Sequence, residues 1–224
     1  RLAERGLVAF SGTEREFIVF DESYRDAWAK GYRELQASTD YNVDYNLLST
    51  TRLEPLLRDI RNGMEGAGLY CEGVKGECNF GQHEIAFLYE DALRTCDNHV
   101  VYKTGAKEIA AQEGYALTFM AKYNEREGNS CHIHLSFRGT DGSLVMADKA
   151  DEEHGMSDVG RQFIAGQLAH LRELSLMFAP NINSYKRFAP GSFAPTSIEW
   201  GRDNRTCALR LVGRGAGLRM ENRV

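Results

Sequence analysis

No apolar run in this 224-residue chain approaches the roughly 18–20 residues that cross a bilayer, and no leader-like segment is visible. C-x-x-C pairs are missing, and the five cysteines (Cys71, Cys78, Cys96, Cys131, Cys207) are odd in number. Both facts argue against a disulfide framework or a zinc knuckle, and a reducing, cytoplasmic setting is expected. There is no basic block either. With 27 Lys and Arg against 32 Asp and Glu, the net charge of −5 disfavours a general nucleic-acid binder. Internal repeats, low-complexity segments and a convincing linker are also absent. What remains is a globular composition, 42% hydrophobic and 26% charged, in a chain long enough to bury a sizeable core.

The stretch Lys75-Gly76-Glu77-Cys78-Asn79-Phe80-Gly81-Gln82-His83-Glu84-Ile85 sets two carboxylates either side of a glycine-containing bend. A structural loop gains little from that arrangement. A hard divalent cation, by contrast, requires carboxylate oxygens converging from several directions. Glu77 and Glu84 therefore read as half of a metal site. A second carboxylate pair stands in Thr13-Glu14-Arg15-Glu16, between the strand-like segments Leu7–Phe10 and Phe17–Phe20. In an extended chain Glu14 and Glu16 share one face. Further on, His132-Ile133-His134-Leu135-Ser136-Phe137 alternates strictly, so His132, His134 and Ser136 form a polar face and the intervening residues an apolar one.

The rest of the chain supplies the scaffold. Residues 21–49 are polar and aromatic with weak periodicity, an excursion with short helices. Leu53, Leu56, Leu57 and Ile60 predict a helix over 51–66, and near-helical apolar spacing predicts others over 91–113 and 159–178. Strands are expected at 69–74 and 116–120. The C-terminal quarter is dense in arginine (Arg202, Arg205, Arg210, Arg214, Arg219, Arg223) interleaved with strand-like residues. Arginines on one face of a strand can hold phosphate or carboxylate groups.

Taken in order, these pieces resemble the catalytic domain of the glutamine synthetase family over nearly the whole chain. Thr13–Phe17 is similar to the family's P-E-x-E-F strand, and Glu77–Ile85 to its E-x-x-x-G-Q-x-E-I loop. Gly128–Ser136 resembles G-S-x-H-x-H-x-S, and Asn183–Pro195 resembles N-S-Y-K-R-x-x-P-G-x-x-A-P. Asn204–Arg210 and Arg219–Arg223 resemble N-R-x-x-x-x-R and R-x-E-x-R. The resemblance implies an α+β fold: a curved, partly open antiparallel sheet backed by helices, occupying residues 1–224. By that likeness the family's small N-terminal β-grasp domain and C-terminal helices are expected outside the sequence.

It also implies roles. Glu16, Glu77 and Glu84 would hold one Mg²⁺ or Mn²⁺, and Glu14, His132 and Glu221 a second. Glu72, His134, Ser136, Arg210 and Arg219 would face ATP. Arg205 would meet the transferring phosphoryl group, while Gly128, Arg187 and Arg223 would hold L-glutamate. The family's reaction phosphorylates the γ-carboxylate of glutamate with ATP and displaces phosphate with ammonia or an amine, in a dodecamer of two hexameric rings; neither nucleic acid nor membrane takes part. Two carboxylates about 4 Å apart repel by roughly 4 kcal/mol at an effective dielectric near 20, so such a ligand set implies cation-dependent stability.

One departure bears on the product. Phe193 stands where ammonia-using members carry a glutamate, and Glu127 stands where they carry Asn. An apolar aromatic cannot bind ammonium but suits the alkyl part of a larger amine, a polyamine or small monoamine. Glu127 either attracts a cationic amine or is simply solvated. Two alternatives stay open: a glutamine synthetase that tolerates Phe193, and a homologue that kept the fold and lost turnover.

Overall fold

The structure, a computed structural model, describes residues 1–224. In chain order its elements are β1 (Leu7–Phe20), α1 (Tyr24–Ala29), α2 (Leu47–Thr50), α3 (Glu54–Gly66), β2 (Cys71–Gly76), β3 (Gln82–Phe87), β4 (Glu90–Asp91), α4 (Ala92–Gln112) and β5 (Ala116–Thr118). After these come β6 (Cys131–Gly139), α5 (Asp158–His170), α6 (Ser175–Phe178), β7 (Ser197–Arg202), β8 (Cys207–Val212) and β9 (Arg219–Asn222). The chain divides into two compact units, one of residues 1–13, 89–95 and 130–224, the other of residues 14–88 and 96–129. Strand β1 runs through both. The two short strands expected in this region are one 14-residue strand, because the charged segment between them is still ladder-paired: Glu14 lies opposite Ala86 and Glu16 opposite Glu84 on β3.

In the unit that contains residues 14–88, β2, β3 and β1 pair antiparallel and β5 joins the end of β1. Leu53, Leu56, Leu57 and Ile60, spaced for one helical face, are all buried against Phe17, Val19, Ile85 and Leu117, and Tyr102, Ala106 and Ala110 of α4 join them. Burying each large aliphatic side chain contributes about 1.5–3 kcal/mol, which holds α3 on the sheet. Pro55 in the first turn of α3 sits where its missing N–H costs no helical bond.

The other unit carries the strand order β1-β6-β9-β8-β7, which ends at the edge strand β7. Its core is Met146, Met156, Ile164, Leu209, Leu211, Leu218 and Met220, with Leu135 and Phe137 of β6 packed against it. Those two are the apolar face that the alternation in β6 requires. The sheet is mixed, not antiparallel throughout as expected. β6–β9 and β8–β9 are antiparallel, but β7 and β8 run parallel with only residues 203–206 between them. Asp203 adopts a left-handed φ of 50° and its N–H bonds Leu211 O, which turns the chain back to run beside β7. The helix expected over 159–178 is also two helices. Leu171 is buried, whereas Leu174 and Leu176 past the break are exposed; an apolar stripe does not reveal where its helix stops. No helix is long and apolar enough to cross a membrane.

Candidate functional site

Strand β2 runs through the loop Glu77–Gly81 into β3, and the loop is tied by its own backbone. Glu77 N–H donates to Gln82 O at 2.9 Å and Gln82 N–H to Asn79 O at 3.1 Å. Gly81 sits at φ 68°, and a Cβ there would lie 2.5 Å from Val19 O. Only glycine satisfies both constraints. Side-chain amides extend the clamp. Gln82 Nε2 donates to Glu16 Oε2, Gly128 O and Asn129 Oδ1, each at 3.0 Å. Asn79 donates to Asn124 Oδ1 and to the carbonyl of Glu127.

The clamp and the β1–β3 register bring Glu16, Glu77 and Glu84 together, with one carboxylate oxygen of each within 4.8 Å of the others. Lys75, directly across the ladder from Glu84, places its ammonium 2.7 Å from Glu84 Oε1 and 4.0 Å from Glu77 Oε1. Burial, then the charges of Glu16 and Glu84, pushes Glu77 up to about 8. Burial, then Glu14 and Glu16, pushes Glu84 up to about 7. Burial pulls the Lys75 ammonium down, but Glu84 more than offsets it and leaves Lys75 above its ordinary range. One lysine therefore does not discharge this cluster. Three all-oxygen donors, Glu16 and Glu84 buried and Glu77 half-buried, are the set that a hard divalent cation such as Mg²⁺ or Mn²⁺ takes. The adjoining thiol of Cys78 is pushed up to about 12 by burial and by Asp44.

In the unit that contains residues 130–224, Glu221 on β9 has no exposed surface. Arg210 on β8 lies opposite it in register and donates to Glu221 Oε2 at 3.0 Å and to Asp203 Oδ1 at 3.0 Å. Arg223 donates to Glu221 Oε1, while His132 Nδ1 lies 3.4 Å from the same oxygen. Two guanidiniums thus neutralise the acid. His134 accepts from Arg219 Nε at 3.1 Å through Nδ1, and Ser136 follows on the same face of β6. Arg205 is exposed, and its carbonyl accepts from Arg223 Nε at 2.9 Å. Arg187 is buried at the end of a short 3₁₀ segment whose first turn Asn181 and Ser184 cap reciprocally. Phe193 is 61% exposed on the loop that follows.

The expected residues thus fall into groups. Glu16, Glu77 and Glu84 converge, as do His132, Arg210, Glu221 and Arg223. Glu14 belongs to the same unit as the three converging glutamates, on the same face of β1 as Glu16. Glu72 stands apart, exposed at the bulge in β2. Gly128 and Glu127 spend their carbonyls on the amides of Gln82 and Asn79. Sequence reasoning missed the parts played by Lys75, Asn79, Gln82, Asn129 and Asp203. Lys75 and Gln82 were visible beside the acidic pair, but nothing in the spacing shows that they turn inward.

Comparison with known proteins identifies the family. The whole chain, residues 1–224, matches the family described as glutamine synthetase, catalytic domain. The chain belongs to the glutamine synthetase family. Among relatives, it is 66% identical over 224 residues to the gamma-glutamylethanolamide synthetase GlnA4 of Streptomyces coelicolor, covering all of this chain and 48% of that one. Identity is 36% over 221 residues to a glutamate–isopropylamine ligase of a Pseudomonas species, covering 98% of this chain and 48% of the relative. A glutamine synthetase of Thermococcus kodakarensis is 37% identical, with the same 48% of its length covered. Among solved structures, the GmaS/ADP complex superimposes with a TM-score of 0.86 at 28% identity, covering 99% of this chain and 51% of that one. The chain spans about half the length of the curated relatives it matches.

Proposed function

We propose that the protein is an ATP-dependent carbon–nitrogen ligase that joins the γ-carboxylate of L-glutamate to an amine. The observation that carries this reading is the convergence of Glu16, Glu77 and Glu84 in a chain of this family. Its excess negative charge fits a cation that in turn meets phosphate. Mg²⁺ or Mn²⁺ held there would neutralise charge on the phosphates of ATP during transfer. A second ion at Glu14, His132 and Glu221 follows the family pattern, and the approach of His132 to Glu221 supports it. For that ion, Glu221 would have to share its oxygens with Arg210 and Arg223.

The chain's own groups would then act by position and charge. Arg205 would neutralise the phosphoryl group as it moves to the γ-carboxylate oxygen. His134, Ser136, Arg210 and Arg219, with Glu72, would hold ATP. Arg187, Arg223 and the Gly128 backbone would fix glutamate, so that alignment supplies much of the rate enhancement. The amine nitrogen attacks the acyl carbon of γ-glutamyl phosphate, loses a proton, and phosphate leaves.

For the acceptor, Phe193 in place of a glutamate and two relatives named for amine substrates both favour an amine over ammonia. A small monoamine such as ethanolamine, or a polyamine, is the proposed class, with Phe193 meeting its alkyl part and Glu127 attracting its charge. A soluble cytoplasmic homo-oligomer, a dodecamer of two rings, is the proposed assembly. The test is phosphate release from ATP with glutamate, comparing ethanolamine, putrescine, spermine and methylamine against ammonia. At least one amine should outpace ammonia at equal concentration. Turnover with ammonia alone would instead make the protein a glutamine synthetase, and no release with any acceptor would leave a homologue without turnover.

A further inference from the structure

Lys75 lies in the carboxylate cluster but is not among the groups that could ligate a cation. Its ammonium is fixed on three sides: 2.7 Å from Glu84, 4.0 Å from Glu77, and 5.3 Å from the centroid of the Tyr45 ring. Tyr45 is itself held over it, since its N–H bonds Gly76 O at 3.1 Å and its φ is a left-handed 52°. Gly76 also leaves room for Val43 two residues before Tyr45; a Cβ there would come within 2.6 Å of Val43 O. A lysine that only bridged two strands would need no tyrosine cap.

We propose that Lys75 is a built-in counter-ion that positions Glu77 and Glu84 for a single divalent cation and sets how tightly that cation is held. Once all three carboxylates are ionised to take a cation, they and one ammonium leave two net negative charges in the cluster, which one divalent cation cancels. Without Lys75, three acids would face one another in a buried site, and the ion-free loop would splay. With it, the loop keeps its form while empty, but the ammonium repels the arriving cation and shares Glu84 with it. The cation is therefore bound less tightly than three unshared glutamates would bind it, and it exchanges more readily. The inference rests on the metal reading of this cluster given above.

The experiment measures Mn²⁺ binding by calorimetric titration, together with thermal stability in chelator, for the wild-type protein, Lys75→Met and Lys75→Arg. Lys75→Met should bind Mn²⁺ at this cluster about tenfold more tightly or better, since a like charge a few ångströms away is removed. In chelator it should melt below wild type, and saturating Mn²⁺ should erase the difference. Lys75→Arg, which keeps the charge, should stay near wild-type affinity. A merely structural lysine gives the opposite sign: Lys75→Met binds Mn²⁺ equally or more weakly, and the proposal fails. If wild type takes up no Mn²⁺ while Glu77→Gln leaves the titration unchanged, the metal reading itself is what fails. Should Lys75→Met not survive without metal, Lys75→Gln loaded with Mn²⁺ and chased with chelator decides the matter. Slower release than wild type supports the proposal, and equal or faster release overturns it.

Discussion

Replacing Glu77 by Gln should stabilise the metal-free protein at alkaline pH while destroying its response to metal. Folding raises the Glu77 carboxyl from 4.5 to about 8, first through burial and then through Glu16 and Glu84. The folded protein thus holds a proton on Glu77 that the unfolded chain releases above pH 4.5. A raised carboxyl pKa gives a contribution fully present below pH 4.5 and lost as pH climbs toward 8. At pH 7 the difference between the two pKa values amounts to about 3 kcal/mol against the folded state, at about 1.4 kcal/mol per unit. The side chain is only 14% exposed, so solvent screens little of this. Glutamine is of similar size and carries no charge, so Glu77→Gln escapes the penalty. Urea unfolding in chelator at pH 5, 6, 7 and 8 measures it. The variant's advantage should be about 1 kcal/mol at pH 5 and grow to about 3 kcal/mol by pH 7. Excess Mn²⁺ should then stabilise wild type and leave the variant nearly unmoved. A variant no more stable than wild type at pH 8, or an advantage independent of pH, would refute the reasoning.

Other outcomes follow from the same geometry. Gly81→Ala adds a Cβ 2.5 Å from Val19 O at a left-handed φ and should cost about 2–4 kcal/mol of stability by urea titration. Gln82→Ala removes the amide that joins Glu16 to Asn129 and should weaken Mn²⁺ binding by about 10-fold or more in calorimetry, as losses of groups that orient ligands do. His83 is held neutral by burial, its pKa lowered to about 4. Stability from this group is present above about 6.5 and lost as pH falls toward 4, so His83→Gln should flatten the acid limb of the unfolding curve below pH 6. Phe193→Glu should shift the ratio of ammonia to amine turnover toward ammonia; an unchanged ratio would remove Phe193 from the acceptor site.

Much of the site could be read from the chain because its chemistry is local in sequence. The E-x-E of β1 and the alternating histidines of β6 each place their residues by strand period, the bend at Glu77–Glu84 by its glycine turn, and the structure keeps these placements. α3 was equally legible, since four apolar residues at helical spacing leave one way to bury them. What escaped was set by distant partners. The continuity of β1 depends on β3 accepting Glu14 and Glu16 in its ladder. The parallel pairing of β7 and β8 hangs on one left-handed residue, Asp203, and the break after α5 leaves no mark in an apolar stripe that continues past it. The inward turn of Lys75 was hidden for the same reason. A lysine beside two glutamates is usually solvated, whereas here its ammonium lies against Glu84 and 5.3 Å from the centroid of the Tyr45 ring.

The central claim is that glutamate is activated as an acyl phosphate before an amine displaces phosphate. Isotope transfer tests it most directly. Glutamate labelled with ¹⁸O in its γ-carboxylate is incubated with ATP, Mg²⁺ and ethanolamine, and both products are weighed by mass spectrometry. One ¹⁸O should pass into the released phosphate and the other remain in a γ-glutamyl amide. Amide formed alongside unlabelled phosphate, or labelled phosphate with no amide from any amine, would contradict the account.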